Sequence, residues 1–65
     1  MTVIELINAI EKGAIIIFLN KDGSELLKFE KGNDPDVLDF QFKYRKVETL
    51  KYEYSKFVAV LEDMK

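Results

Sequence analysis

Hydrophobic residues recur at helical spacing over the first ten residues, at Val3, Leu6, Ile7 and Ile10. This spacing places them on a single stripe of a helix. Thr2 and Glu5 fit a capping box, in which each side chain satisfies a backbone N–H of the first turn. Gly13 is the C-terminal cap expected for such a helix. The pattern therefore predicts an amphipathic N-terminal helix whose apolar stripe covers one face of a sheet.

A β-hairpin is predicted after this helix. Ala14 to Leu19 is a run of six apolar residues rich in β-branched isoleucine, which is typical of a buried strand. Asp22-Gly23 is a strong turn signal, because glycine takes positive φ without steric cost. The second strand, Glu25 to Glu30, alternates, with Leu27 and Phe29 on its apolar side. The hairpin is the centre of the predicted sheet.

The first strand of this hairpin is apolar on both faces. Side chains of a strand alternate between its two faces. One face therefore carries Ile15, Ile17 and Leu19, and the other carries Ala14, Ile16 and Phe18. An antiparallel strand with one face in water would alternate apolar and polar residues instead. We expect both faces of this strand to be covered.

Two interpretations fit the segment that follows. Apolar residues alternate strictly with polar ones at Leu38, Phe40, Phe42 and Tyr44, which favours a strand with an aromatic face. A short helix beginning at Asp34, with Pro35 in its first turn, is the alternative.

The C-terminal segment is also ambiguous. Apolar residues from Val47 to Met64 recur with alternating gaps of three and four, which is typical of a helix. The same segment is rich in strand-forming residues, and Ser55-Lys56 can form a weak turn. We favour two strands here over one helix.

Composition excludes several classes of function. The chain has 65 residues, enough for one domain, and 48% of them are hydrophobic. It has 12 acidic and 10 basic residues, and it contains no cysteine and no histidine. Disulfides, thiolate metal sites and histidine bases are therefore absent.

Asp34, Asp36 and Asp39 lack the spacing of an EF-hand loop, so capping and a solvent-exposed loop explain them better than calcium. We expect no enzyme, no metal and no cofactor. No signal peptide or membrane span is visible, and we expect a cytoplasmic protein.

The chain resembles small accessory proteins of phages and mobile elements of Gram-positive bacteria. The resemblance rests on the opening MTVIELINAIEKG, on the Lys-Asp-Gly turn, and on the later segments RKVETLKYEY and FVAVLED. It implies an N-terminal helix followed by a small antiparallel sheet, and it carries no functional residues across. Some phage inhibitors of host proteins have comparable layouts, so inhibition of a host protein is a further hypothesis.

We therefore predict a single α+β domain over residues 1–65, with the N-terminal helix on an antiparallel sheet of about four strands. Three strands plus a C-terminal helix is the alternative. One helix covers only one face of a sheet, so the other face is expected to bind a second copy or another protein. The candidates for this interface are Ile16, Phe18, Tyr52, Tyr54, Val58 and Val60.

Binding of single-stranded nucleic acid is the alternative function. Aromatic and basic residues interleave in one region of the chain, as in sheets that stack bases and contact phosphates. The candidates are Phe42, Lys43, Tyr44, Arg45, Lys46 and Lys51. The net charge of −2 disfavours this function.

Overall fold

The computed structural model describes residues 1–32 and 38–62. Within these residues the elements are α1 (Val3–Ala9), β1 (Ile15–Leu19), β2 (Glu25–Glu30), α2 (Phe40–Lys43), β3 (Val47–Glu53) and β4 (Lys56–Leu61). The strands form one sheet in the order β2-β1-β4-β3. Both helices pack on the same face of this sheet, since residues of α1 and α2 join Ile16 and Phe18 of β1 in one core. The predicted α+β fold with an N-terminal helix and four strands is confirmed.

The sheet is mixed, whereas the sequence predicted an antiparallel one. β1 pairs antiparallel with β2, and β3 pairs antiparallel with β4, but the central pair of β1 and β4 is parallel. In this order β2 and β3 run in the same direction. The connection between them therefore passes from one end of the sheet to the other, and α2 lies within that connection.

The capping box at the start of α1 forms as predicted. The backbone N–H of Glu5 donates to Thr2 Oγ1 at 3.3 Å, and the backbone N–H of Thr2 donates to Glu5 Oε1 at 2.8 Å. These bonds from Thr2 lower the pKa of the Glu5 carboxyl. Because the pKa is lower in the folded chain, the box stabilises the fold above the ordinary carboxyl pKa. This contribution is lost as the pH falls through the lowered value.

The capping box supplies a first prediction. Replacing Thr2 with alanine removes the acceptor for the Glu5 N–H, so we expect a loss of about 1 kcal/mol in the free energy of unfolding. For a domain of this size the melting temperature should fall by roughly 4–8 °C. Urea and thermal denaturation at neutral pH measure both. Thr2→Ser keeps the hydroxyl and should remain close to the parent; an equal loss in the serine variant would contradict the capping role.

Helix α1 ends at Ala9, earlier than predicted, and Gly13 is not its cap. Ile10 already has an extended backbone, with φ −94° and ψ 161°. The ammonium of Lys31 donates to the carbonyl of Ile7 at 2.6 Å and satisfies one of the orphan acceptors of the last turn. Gly13, with φ +91°, instead lies in a turn closed by a hydrogen bond from the Ala14 N–H to the Glu11 carbonyl.

The turn between β1 and β2 forms at the predicted Asp-Gly. Gly23 has φ +90°, and its N–H donates to the Asn20 carbonyl. The Asp22 carboxylate accepts hydrogen bonds from the side chain and backbone N–H of Ser24, at 2.6 and 2.9 Å, which lower its pKa. This is a turn followed by a glycine in the left-handed region, a common hairpin connection.

The aromatic strand predicted over residues 38–45 is wrong, because α2 occupies the centre of this segment. Strict alternation also contains pairs of residues four apart, and such pairs share a helix face. Leu38 and Phe42 pack on the core, while Phe40 and Tyr44 point to solvent with their rings 4.8 Å apart. The N-cap of α2 is Asp39. The alternative helix start at Asp34 and Pro35 lies outside the described residues.

The C-terminal hairpin is confirmed over its described part, and the alternative C-terminal helix is wrong. β3 and β4 pair from Val47 with Leu61 to Glu53 with Lys56. The turn lies at Tyr54 and Ser55, one residue before the predicted position. Both residues have positive φ, 50° and 63°. Tertiary pairing with β1 favours the strands, because it buries Ala59 and Leu61 in the core.

Candidate interaction surfaces

The sheet face opposite the helices is apolar along its centre. We call it the outer face. The register of the strands places Ile15, Ile17 and Leu19 of β1 beside Val58 and Val60 of β4. All five are only partly buried, and none belongs to the core under the helices. Within residues 1–32 and 38–62, no helix packs over this face.

Charged side chains border the outer face on both edge strands. On β2, Glu30 pairs with Ile15, and Lys28 pairs with Ile17. On β3, Lys51 pairs with Val58, and Glu53 follows two residues later on the same face. The sign of the charge therefore alternates along both edges. When two copies of such an edge lie antiparallel, the lysines of one copy come close to the glutamates of the other.

A second surface lies on the helix side of β3. Leu50 and Tyr52 project there as residues that are 42% and 64% exposed, and Tyr54 at the turn is 92% exposed. Leu50 and Tyr52 line an open groove of about 620 Å³ between the end of α1 and the C-terminal hairpin, and Tyr54 is not part of its lining. The ring of Tyr52 contacts that of Phe57 on the groove floor, with the ring centroids 4.9 Å apart.

The N-terminal residues cover the beginning of the outer edge of β3. The N–H of Val47 donates to the Met1 carbonyl at 2.8 Å, and the N–H of Val3 donates to the Arg45 carbonyl at 2.9 Å. The N-terminal residues thus pair with the chain just before β3, through the bridge of Thr2 with Lys46. From Glu48 onward β3 is an edge strand among the described residues, where it pairs with β4 on one side.

The six predicted interface residues lie on different surfaces. Ile16 and Phe18 are fully buried under the helices, with 0% exposure, so placing them on the uncovered face is a mistake. Either face of β1 could have received the helix, and the apolar pattern alone does not distinguish them. Val58 and Val60 do lie on the outer face, while Tyr52 and Tyr54 lie at the edge strand and its turn. The interface candidates chosen from the sequence did not include Ile17 and Leu19, although the sequence analysis had placed both on one apolar face of this strand.

The predicted nucleic-acid residues do not form one sheet face. Phe42 packs edge-on against Phe18, with the ring centroids 5.3 Å apart, and the ring of Tyr44 is tilted by 49° against that of Phe40. Arg45 donates through Nη2 to the Glu62 carbonyl at 2.9 Å, while its Nε is buried without a hydrogen-bond partner. Lys43 is in α2, Lys46 bridges to Thr2, and Lys51 lies on the outer face. The aromatic–basic alternation is thus divided among a helix, a loop and a strand.

The part of the chain that the structure describes contains no group of three or more acidic residues, histidines or cysteines able to hold a metal ion. Of the acidic residues near the predicted loop, Asp39 is the N-cap residue of α2 without a capping hydrogen bond from its side chain. Asp34 and Asp36 lie outside the described residues.

These features define a small α+β domain with a four-stranded mixed sheet and helices on one face. The chain matches the family described as "Protein of unknown function (DUF1125)" over residues 1–65, and it belongs to that family. No curated protein and no solved structure matches the chain. Among the described helices, none has the length and apolar character needed to cross a membrane.

Proposed function

We propose that this protein is a non-enzymatic interaction module that self-associates through the outer face of its sheet. The observation that carries the proposal is the aliphatic cluster of β1 and β4 on the face opposite both helices. Aliphatic side chains grouped on an exposed surface gain free energy when a partner removes them from water. Two sheets that pack face to face bury such side chains between them.

Charge favours a second copy as the partner. The borders of the outer face carry both signs, with Lys28 and Glu30 on one edge and Lys51 and Glu53 on the other. Two copies that face each other with strands antiparallel can place each lysine near a glutamate. An acidic or basic partner would meet like charges on both edges, which disfavours binding.

The size of the face limits the affinity. Four strands about 4.8 Å apart and about 17 Å long give a face of roughly 300–350 Å². Stable complexes bury about 800 Å² on each partner, so we expect a weak association. Concentrations from about 5 μM to 1 mM are therefore the range to examine.

Introducing a charge into the outer face tests the proposal. Val58→Lys places an ammonium among the aliphatic side chains, and burying it without a partner is costly. By light scattering after size exclusion, the parent mass should rise above 7.6 kDa with concentration. The mass of the Val58→Lys variant should be smaller at every concentration above the onset of association.

Asn8→Lys is the matched control, because it makes the same charge change on the exposed side of α1. It should associate like the parent. Circular dichroism and thermal denaturation establish that both variants fold. Identical mass curves for Val58→Lys and Asn8→Lys, or a parent that is monomeric throughout, would refute self-association through this face.

The accessory role in phages or mobile elements, nucleic-acid binding and inhibition of a host protein stay predictions. The nucleic-acid hypothesis has the weaker structural support, because its residues do not share a surface.

A further inference from the structure

The turn between β1 and β2 contains the only aspartate of the chain that is followed by glycine, Asp22 before Gly23. The carboxyl group of an aspartate can react with the backbone nitrogen of the next residue. The nitrogen bonds to Cγ, and the amide proton and the carboxyl hydroxyl leave as water, which gives a cyclic succinimide. Water then reopens the ring, and opening at the backbone carbonyl leaves the chain linked through Cγ, as isoaspartate. Glycine hinders this attack least, because it has no side chain.

The nitrogen that would attack is held in a hydrogen bond. The N–H of Gly23 donates to the Asn20 carbonyl at 3.0 Å. The nitrogen becomes a nucleophile only when it loses its proton, and a bonded amide releases its proton only when its hydrogen bond opens. A second bond, from the Asn20 N–H to the Ser24 carbonyl at 2.9 Å, closes the hairpin around the turn and opposes this opening.

The carboxylate of Asp22 is held as well. Its Oδ1 accepts a hydrogen bond from the Ser24 hydroxyl at 2.6 Å and one from the Ser24 backbone N–H at 2.9 Å. The side-chain amide of Asn20 donates to the Ser24 hydroxyl oxygen at 2.9 Å, which leaves the hydroxyl proton for Asp22. Hydrogen bonds to the ionised form lower the pKa of the Asp22 carboxyl. An ionised carboxylate lacks the hydroxyl that leaves as water, so these bonds disfavour ring closure at neutral pH.

We infer that Asp22 is a site of spontaneous conversion to isoaspartate, and that the hydrogen bonds from Ser24 and Gly23 protect it in the folded chain. Asp22, Gly23 and Ser24 are all exposed, so burial does not protect the site. The reaction uses only the aspartate, the next amide and water. The inference concerns one turn within one copy of the chain, and it goes beyond the proposed self-association.

The position of the turn gives the modification a structural consequence. Isoaspartate adds one atom to the backbone between β1 and β2, so the bond from Asn20 to Ser24 would have to close a longer loop. The main chain also takes over Cγ, and the carboxylate that accepted both bonds from Ser24 is replaced by one on Cα. Because β1 pairs with β2 and β4, a change in this turn affects the centre of the sheet.

Incubation at neutral pH, folded in buffer or unfolded in guanidinium chloride, tests the inference. Isoaspartate at residue 22 is measured by peptide mapping with mass spectrometry and by enzymatic methylation of the isoaspartyl carboxylate. The unfolded parent should form isoaspartate faster than the folded parent. Ser24→Ala should raise the rate in the folded protein about tenfold, the factor that corresponds to one hydrogen bond to an ionised acceptor. In guanidinium chloride this variant should react at the rate of the parent, because the turn is absent from both.

Two variants separate protection by the turn from protection by the whole fold. Thr2→Ala lowers the free energy of unfolding without touching the turn, so it should leave the rate in the folded protein unchanged. Ser55→Ala makes the same side-chain change in the other hairpin turn and should also react like the parent. Circular dichroism establishes that all three variants are folded under the conditions of incubation.

Three results overturn the inference. A parent that forms no isoaspartate at residue 22 even when unfolded shows that Asp22 is not a modification site. Equal rates for the folded and unfolded parent show that folding does not protect it. A folded Ser24→Ala variant that reacts no faster than the parent, or no faster than Thr2→Ala, shows that the hydrogen bonds of Ser24 are not the protection.

Discussion

Replacing Phe18 with alanine should remove most of the stability of the fold. Phe18 is on the central strand β1, has no exposed surface and packs edge-on against Phe42 of α2. Truncation of a buried phenylalanine to alanine costs about 3–5 kcal/mol through lost burial and the cavity left behind. A domain of 65 residues has roughly 3–10 kcal/mol of total stability. The variant should therefore be largely unfolded or melt at a much lower temperature.

Urea denaturation followed by circular dichroism measures this loss. Phe18→Leu keeps most of the volume and should lose less than about 1.5 kcal/mol. Phe40→Ala is the matched control for the same truncation at a site that is 72% exposed. It should change the free energy of unfolding by less than about 0.5 kcal/mol. If Phe18→Ala and Phe40→Ala were equally stable, Phe18 would not be a core residue.

The turn of the C-terminal hairpin should accept a stabilising substitution. Tyr54 and Ser55 both have positive φ, which L-residues other than glycine and asparagine adopt at a cost of about 1–2 kcal/mol each. Asparagine followed by glycine is the pair that two-residue hairpin turns of this kind prefer. Tyr54→Asn combined with Ser55→Gly should therefore raise the free energy of unfolding by about 1–2 kcal/mol.

Thermal and urea denaturation of the double variant measure the gain, at a concentration low enough to keep the protein monomeric. Tyr54 is almost fully exposed, so little burial is lost with its ring. The reversed pair, Tyr54→Gly with Ser55→Asn, keeps the composition and should stabilise less. A double variant less stable than the parent would show that Tyr54 contributes contacts that outweigh its backbone strain.

Sequence patterns were sufficient for the elements whose signals are local. The capping box depends on the types of Thr2 and Glu5 and on their spacing, and the Asp22-Gly23 turn depends on two adjacent residues. The uninterrupted apolar run in β1 indicated a central strand. It also indicated that the sheet needs cover on both faces, because every side chain of that strand is apolar.

Nonlocal contacts decided the rest. Residues 38–45 alternate as a strand does, but the pairs four apart also fit a helix, and the contact of Phe42 with Phe18 is made from a helical turn. The spacing from Val47 onward fitted both structures until pairing with β1 selected strands.

Local patterns also do not specify strand order, so the parallel pairing of β1 with β4 was not predictable from them. The helices lie on one of the two apolar faces of β1: Ile16 and Phe18 are buried beneath them, and Ile15, Ile17 and Leu19 are on the outer face. A strand that is apolar on both sides gives a similar free energy of burial for either face, and only the position of α1 and α2 removes this equivalence.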